Sequence, residues 1–322
     1  MAKKPRSRLR NVAEYALVRS IELPLRLLPV SVALRVGRAI GWLAWKLDRR
    51  HRVVAVENAA WALSLGPYEA RRFVRRVYRN VGMTAVECVL LPHILRRRDI
   101  TDFTCFEGEE HLRQALDRGK GAIVITAHIG NWEIAGLGVA RRVGSLLSVA
   151  RALDNPLLDR YFHARREQLG QRVVDRRGAL RPVVQELRRG GVVAMLIDQN
   201  QRKDGVFVDF FGRRASTVPS PASIALKYDV PVIPGYGHRT GDGFFHCLRC
   251  EAPIDLIRSG DREADVAANT AQFTRRVERW VRRHPDQWFW LHSRWKTRPP
   301  EEKKARKAAQ VAHRPAIGGS TP

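Results

Sequence analysis

Two textures divide the chain. From residue 12 to 98, apolar positions recur three and four apart, the period of amphipathic helices, with breaks at Pro24, Pro29 and Gly66-Pro67. From about residue 100, short apolar runs alternate with helical stretches. "GAIVITA" (121–127) opens on a glycine and is rich in β-branched residues, which predicts a buried strand. A helical segment follows to about Arg142, then "SLLSVAR" (145–151) as a second strand. "NPLLDRYFHARREQLG" reads as a helix with Asn155 at its N-cap, Pro156 at its first position and Gly170 past its end. "RVVD" is a short strand, and "LRPVVQELRRGG" a helix closed by Gly190-Gly191. "VVAMLID" (192–198) and "VPVIPGYG" (230–237) complete the set of strands. Strands alternating with helices predict an α/β fold with a mixed, mostly parallel central sheet flanked by helices. The basic arm 1–10 and the Pro-, Lys- and Ala-rich tail 301–322 are expected to be disordered. Between them lie an N-terminal helical region, 11–98, and the α/β domain, 99–300.

Within the helical region, Ala33–Arg52 carries the clearest pattern. At about 100° per residue, Arg35, Arg38, Lys46 and Arg49 share one stripe with Trp42 among them. Val36, Ile40, Leu43, Ala44 and Leu47 fall opposite. That arrangement suits a surface helix packed on a core. It equally suits a helix lying on an anionic membrane with an interfacial Trp, which the upstream Lys3, Lys4, Arg6, Arg8 and Arg10 favour. No crossing helix is predicted: Arg19, Glu22 and Arg26 interrupt the apolar stretch, and "LLPVSVAL" falls far short of the ~18 residues a span needs.

Charge sharpens the picture. The 322 residues hold 58 Lys+Arg against 32 Asp+Glu, a formal charge of +26, with arginine far outnumbering lysine. Nucleic acid, an anionic membrane, and an acidic carrier or substrate are all compatible with that balance. A nucleic-acid binder would concentrate its basic residues on a recognition element with interleaved aromatics; here they are spread along most helices, so no nucleic-acid partner is expected. Four scattered cysteines do not make a disulfide framework. Cys247-Leu-Arg-Cys250 formally spells CxxC, but no second CxxC or His pair completes a zinc site, and the segment reads as a strand. His238, His284 and His292 lack metal-type spacing, so no metal is expected.

The candidate chemistry lies in "GAIVITAHIGNWEIAG" (121–136). Open α/β sheets place their ligands beyond the carboxyl ends of the strands, and His128 stands where this strand would end. Ile129 and Gly130 make a turn, and Asn131 is a good N-cap for a helix starting at Trp132. With His128 in the turn and Glu133 in the first helical turn, the carboxylate can curl back to the imidazole and orient it as the third member of a triad does. No serine or cysteine elbow stands nearby, so the pair fits direct deprotonation of a substrate hydroxyl, which then attacks an activated acyl group. A histidine in such a turn is more often structural, and the spacing alone leaves both readings open.

"HIGNWE" resembles the histidine–four residues–acid motif of the glycerolipid and lipid A acyltransferases, in the variant typical of the lipid A biosynthesis acyltransferase family. "LDRRHRVVAVENAAWAL" (47–63), "RALDNPLLDRYF" (151–162), "LRRGGVVAMLIDQN" (187–200), "GVFVDFFGRRAST" (205–217), "ALKYDVPVIP" and "QWFWLHSRWKTRP" (287–299) are similar to that family in the same order. The resemblance implies acyl transfer from acyl carrier protein or acyl-CoA as co-substrate, without a cofactor, to a hydroxyl of a lipid A precursor or related glycolipid at the inner face of the cytoplasmic membrane. Lysophospholipids and phosphatidylinositol mannosides are alternative acceptors; the mannoside branch often has Asp at the acid position, so Glu133 leans to the lipid A side. His128 is then the general base and Glu133 its partner. Arg151 matches an arginine of the family's second block and would bind acceptor phosphate or the oxyanion, a strand-end salt bridge being the alternative. Asp198 and Gln199 close a strand on the same sheet edge as His128, either shaping the site or capping backbone amides, and Asn131 joins them in the substrate-binding set. Phe210, Phe211 and Gly212 form an apolar bend near the acyl chain, or a core aromatic pair. Arg294, Lys296 and Arg298, if extended, put three cations on one face for a headgroup or phosphopantetheine; a charged edge strand is the alternative.

Overall fold

A computed structural model describes residues 7–302 apart from positions 169 and 242. The expected disorder at 1–6 and 303–322 lies outside the described residues, while residues 8–10 of the predicted arm form the first turn of a helix. Four helices come first: α1 (Arg8–Leu25), α2 (Val30–Leu47), α3 (Arg49–Ala62) and α4 (Pro67–Ile94). A 3₁₀ turn (Ile100–Phe103) leads into β1 (Thr104–Glu107), α5 (Glu109–Leu116), β2 (Ala122–Thr126), α6 (Trp132–Val143) and β3 (Leu146–Ala150). Then follow α7 (Pro156–Gln168), β4 (Gln171–Asp175), α8 (Leu180–Arg188) and β5 (Val192–Leu196). The hairpin β6 (Val206–Phe210) and β7 (Arg213–Thr217), α9 (Ser220–Tyr228), β8 (Val232–Arg239), β9 (His246–Cys250) and α10 (Arg262–Arg283) complete the chain.

The sheet runs β1-β9-β8-β2-β5-β3-β4, with β8–β9 the antiparallel pair and the other neighbours parallel. β2, β5 and β8 lie in its centre, which is why their sequences are nearly continuous apolar runs. Parallel pairing also aligns their carboxyl ends, so the turns after β2 and β5 share one edge. The helical region is not a separate layer: Ala55, Ala59, Phe73 and Val77 of α3 and α4 share one apolar cluster with Ile123, Val193, Trp280 and Trp288. Asn58 Nδ2 donates to the carbonyls of Trp290 and His292, at 3.2 and 3.0 Å, and Asn80 Nδ2 to that of Asp286 at 2.9 Å.

The pattern at 33–52 is divided between two helices. Asp48 ends α2 and N-caps α3 through His51 N, so Arg49 belongs to a different helix from Arg35 and Arg38. α2 packs through the small stripe Ala33, Gly37 and Gly41 with Leu34, and of the expected apolar face only Val36 and Ala44 rest against the core. Here α2 crosses α4 backbone to backbone: a Cβ on Gly41 would sit 2.1 Å from the Tyr78 carbonyl oxygen, and one on Gly82 2.2 Å from that of Gly37. Ile40, Trp42, Leu43 and Leu47 are therefore turned outward, Leu47 with 74% of its surface exposed.

Helix α1 carries the same inversion further. It buries Asn11 and Glu22 along with Leu25 and exposes Leu9, Val12, Leu17, Ile21 and Leu23, with Leu27 just beyond it. Glu22 is enclosed by Arg19, Arg26, Arg165 and Tyr161, so α1 docks on α7 through charge. Despite burial, these partners hold the Glu22 carboxyl below its ordinary value. Among the described residues, no helix is long and apolar enough to cross a membrane.

Candidate active site

The turn after β2 is fixed from every side. The Phe289 amide donates to the His128 carbonyl at 3.0 Å, and the Gly130 amide to that of Gln287 at 3.0 Å. Gly130 has φ +59, and a Cβ there would lie 2.4 Å from the Gly237 carbonyl oxygen, so the position requires glycine. Asn131 N-caps α6, its Oδ1 accepting from the amides of Glu133 and Ile134 at 3.1 Å each. Its Nδ2 donates to Glu87 at 2.9 Å, and Glu87 in turn takes a buried bidentate pair from Arg239. Burial pushes the Glu87 carboxyl up, but His246 and Arg239 outweigh it and bring it to about 2. Asn131 is thus a buried cap anchored to α4.

The partner of His128 is Asp198, just after β5. Asp198 Oδ1 lies 2.8 Å from His128 Nδ1, and its Oδ2 accepts from the His128 amide at 2.8 Å and from Trp288 Nε1 at 2.8 Å. The carboxylate is buried, which alone would raise its pKa; the imidazole charge and the N–H groups of His128 and Trp288 win and lower it to about 2. An ionised carboxylate can only accept, so Nδ1 carries a proton, and in the neutral form of the ring it is Nε2 that keeps its lone pair. Gln199 Nε2 sits 3.3 Å from that Nε2.

Glu133 does not curl back to the imidazole. Both its oxygens are taken by Arg166 of α7, at 2.7 and 2.5 Å, a fork-to-fork pair whose guanidinium is held above its ordinary value by that partner despite burial. The physical reason is competition: a fixed guanidinium offers two donors to Glu133, while the ring nitrogen it was expected to meet is already bound to Asp198.

A cleft of about 140 Å³ opens beside His128, between α6 and the sheet. Its lining draws on all seven strands, from Phe106 of β1 to Val173 of β4, beneath Trp132, Ala135 and Val139 of α6. Strands spaced about 4.8 Å apart make this a long, narrow, chiefly apolar space crossing the sheet. Glu133, Arg166 and Arg249 supply its charged lining, and His128 lies among the lining residues.

Three other expected residues lie elsewhere. Arg151 is half exposed and paired with Asp154, the strand-end salt bridge. Phe211 and Gly212 are the two positive-φ residues of the β6–β7 turn, which folds Phe211 into the core against Phe210 and Trp290 under Arg282. The Phe211 amide donates to Glu278 of α10 at 2.7 Å, and neither Phe210 nor Phe211 lines the cleft. Arg294 is 0% exposed: the segment is a series of turns, not an edge strand. Its guanidinium donates to the Ser216 carbonyl at 2.7 Å, Thr217 Oγ1 at 2.5 Å and the Gln199 carbonyl at 3.3 Å, and burial lowers its pKa to about 10. It braces the loop after β5 rather than meeting a headgroup.

Trp288, Phe289, Arg166 and His292 are contributors that sequence reasoning did not assign to the site. His292 accepts the Asn200 amide at 2.8 Å and, chiefly through burial, is lowered to about 4. Among the described residues, no group of three or more His, Cys, Asp or Glu side chains could hold a metal ion.

A mostly parallel α/β sheet with a carboxylate-paired histidine at its carboxyl edge, beside a chiefly apolar cleft, makes up the candidate site. The chain matches the bacterial lipid A biosynthesis acyltransferase model over residues 2–297, and it belongs to that family. It is 30% identical over 206 residues to a phosphatidylinositol mannoside acyltransferase of Mycobacterium tuberculosis (strain CDC 1551 / Oshkosh); it spans 62% of that relative's length with 62% of its own. It is 27% identical over 283 residues to the lipid A biosynthesis lauroyltransferase of Escherichia coli (strain K12), covering 84% of this chain and 88% of the relative. A lipid A biosynthesis acyltransferase of Haemophilus influenzae (strain ATCC 51907 / DSM 11121 / KW20 / Rd) is 28% identical over 284 residues, 85% and 88% of the two chains.

The Glu133–Arg166 pair makes a direct prediction. In a double-mutant cycle, Glu133→Gln and Arg166→Gln should each destabilise the protein, and the double variant should be less destabilised than their sum by about 0.5–3 kcal/mol in denaturant unfolding. Strict additivity would mean the two side chains do not act as a pair in solution.

Proposed function

We propose that the protein is an O-acyltransferase that moves a fatty acyl group from an acyl thioester, carried by acyl carrier protein or coenzyme A, to a hydroxyl of a glycolipid. The observation that carries this reading is the long apolar cleft ending at an oriented histidine. An extended hydrocarbon chain fits such a space, and placing its thioester at the rim brings the carbonyl to His128. Nε2 takes the proton of the acceptor hydroxyl as its oxygen attacks the thioester carbonyl. The tetrahedral intermediate collapses with loss of the thiolate, which takes the proton back from the imidazolium. Asp198, ionised throughout, holds the ring and stabilises its cation. No protein nucleophile, metal or cofactor is invoked.

A lipid A precursor is the leading acceptor, supported by relatives that this chain matches over most of both lengths. A phosphatidylinositol mannoside is the second, supported by the 30% identity to the mycobacterial relative. Both offer a sugar hydroxyl on an anionic lipid, so the same base serves either.

We also propose that α1 and α2 rest on the cytoplasmic face of the bacterial inner membrane. The outward leucines of α1 and the exposed Ile40, Trp42, Leu43 and Leu47 of α2 support a monotopic arrangement, with Lys46 lying over Trp42 and Trp45 beside them. The interfacial element is thus an apolar face with basic neighbours, rather than the basic stripe of one helix.

Purified protein should transfer acyl groups from acyl carrier protein or acyl-CoA to one of three acceptors: lipid A precursor, phosphatidylinositol mannoside or lysophospholipid. His128→Ala should lose roughly 10²–10⁴-fold in kcat while keeping its circular dichroism spectrum. Near-normal turnover by that variant would refute the mechanism. In liposome flotation, wild type should rise with anionic vesicles, and Leu17→Asp with Leu43→Asp should stay in the load fraction. Equal flotation of both proteins would refute the proposed face.

A further inference from the structure

A second cavity, also of about 140 Å³, shares Trp132 in its lining with the cleft under α6. One wall is the face of α4 carrying Val81, Ala85 and Cys88; the other is Trp132 with Phe289. Both aromatic rings also flank the candidate base, Trp132 at 5.1 Å and Phe289 at 6.5 Å from the His128 ring. The polar residues in its lining spend their hydrogen bonds on one another and on the backbone. Gln287 exchanges bonds with the Arg239 backbone, at 2.8 and 2.9 Å. The Arg239 guanidinium is held by Glu87, Thr84 Oγ1 donates to the Gly130 carbonyl, and Asn80 donates to that of Asp286. What remains is a chiefly apolar space. Ala85 is exposed at its mouth.

We propose that this cavity binds a hydrocarbon chain of the acceptor lipid, while the donor's acyl chain occupies the cleft under α6. The inference rests on the acyl-transfer reading. That reaction requires a thioester carbonyl and a lipid hydroxyl to meet at one Nε2, and each substrate brings a chain that needs an apolar seat. The structure has two such seats meeting at Trp132, next to His128. The cleft under α6 is long and crosses the whole sheet. The second cavity is built on α4, the helix that carries α2 and its outward apolar face. Trp132 is then the partition that keeps the two chains on opposite sides of the base.

Two measurements on the full-length enzyme in anionic vesicles decide the matter. A lysophosphatidylglycerol carrying a diazirine in its single chain is photolysed with wild-type protein, and the adducts are mapped by peptide mass spectrometry. Labels on residues 80–88 support the assignment; labels confined to β2, β3 and β5 overturn it. In parallel, Ala85→Phe narrows the mouth at an exposed position. It should raise KM about tenfold for a long-chain acceptor, as expected from excluding about two methylenes, and leave KM for the same headgroup with its chains removed unmoved. A rise in KM for the acyl donor, or no change with any acceptor, would overturn the proposal. Failure of wild type to acylate any acceptor would overturn the acyl-transfer reading, whereas the photolabel reports on the cavity without turnover.

Discussion

One buried carboxylate organises this molecule's chemistry. Asp198 sits at the end of β5 with its two oxygens committed to the His128 amide, the His128 ring and the Trp288 indole. Removing a charge from water costs several kcal/mol unless it is well paired; three N–H groups aimed at it offset that cost and keep it ionised. In return, the carboxylate ties three distant segments together: the turn after β2, the loop after β5 and the residues beyond α10. The parallel register of β2 and β5, which pairs Thr126 with Leu196, brings the first two of these side by side. The fold thus sets the tautomer of the histidine, and the tautomer sets which nitrogen can accept a proton.

Around that bond, the neighbouring charges are divided between two jobs. Glu133 and Arg166 neutralise each other in the lining of the long cleft, linking α6 to α7. Glu87 and Arg239 do the same beneath the Asn131 cap, linking α4 to β8. Since α7 is also gripped by α1 through Glu22, the helices with outward apolar surfaces are mechanically continuous with the walls of the cleft. The cleft is thus lined by elements locked together through charge pairs.

What the sequence made legible was local. The strand "GAIVITA", the turn at His128 and the Asn131 cap follow from β-branched content and capping chemistry within a dozen residues. The partner of His128 was not legible in the same way. Glu133 is five residues away and looked the natural choice, whereas Asp198 is seventy residues away and is delivered by strand pairing. Arg166 left no local signal either, because its meeting with Glu133 depends on where α7 lies. The face of α2 was misjudged for a related reason: hydrophobic periodicity rewards large side chains, but the packing here is made by Gly37, Gly41 and Gly82, where backbones touch. Alternation at 293–298 suggested an extended edge, yet turns bury Arg294 among carbonyls that only the folded chain assembles.

The central claim, that Asp198 fixes the His128 ring with its proton on Nδ1, is most directly tested by ¹⁵N–¹H correlation of histidine-labelled protein, with His128 assigned by substitution. For the neutral form of the ring the account predicts a protonated, strongly hydrogen-bonded Nδ1 and a bare Nε2, and loss of that pattern in Asp198→Asn but not in Glu133→Gln. A proton on Nε2 in the wild type, or a pattern that depends on Glu133 and ignores Asp198, would contradict it.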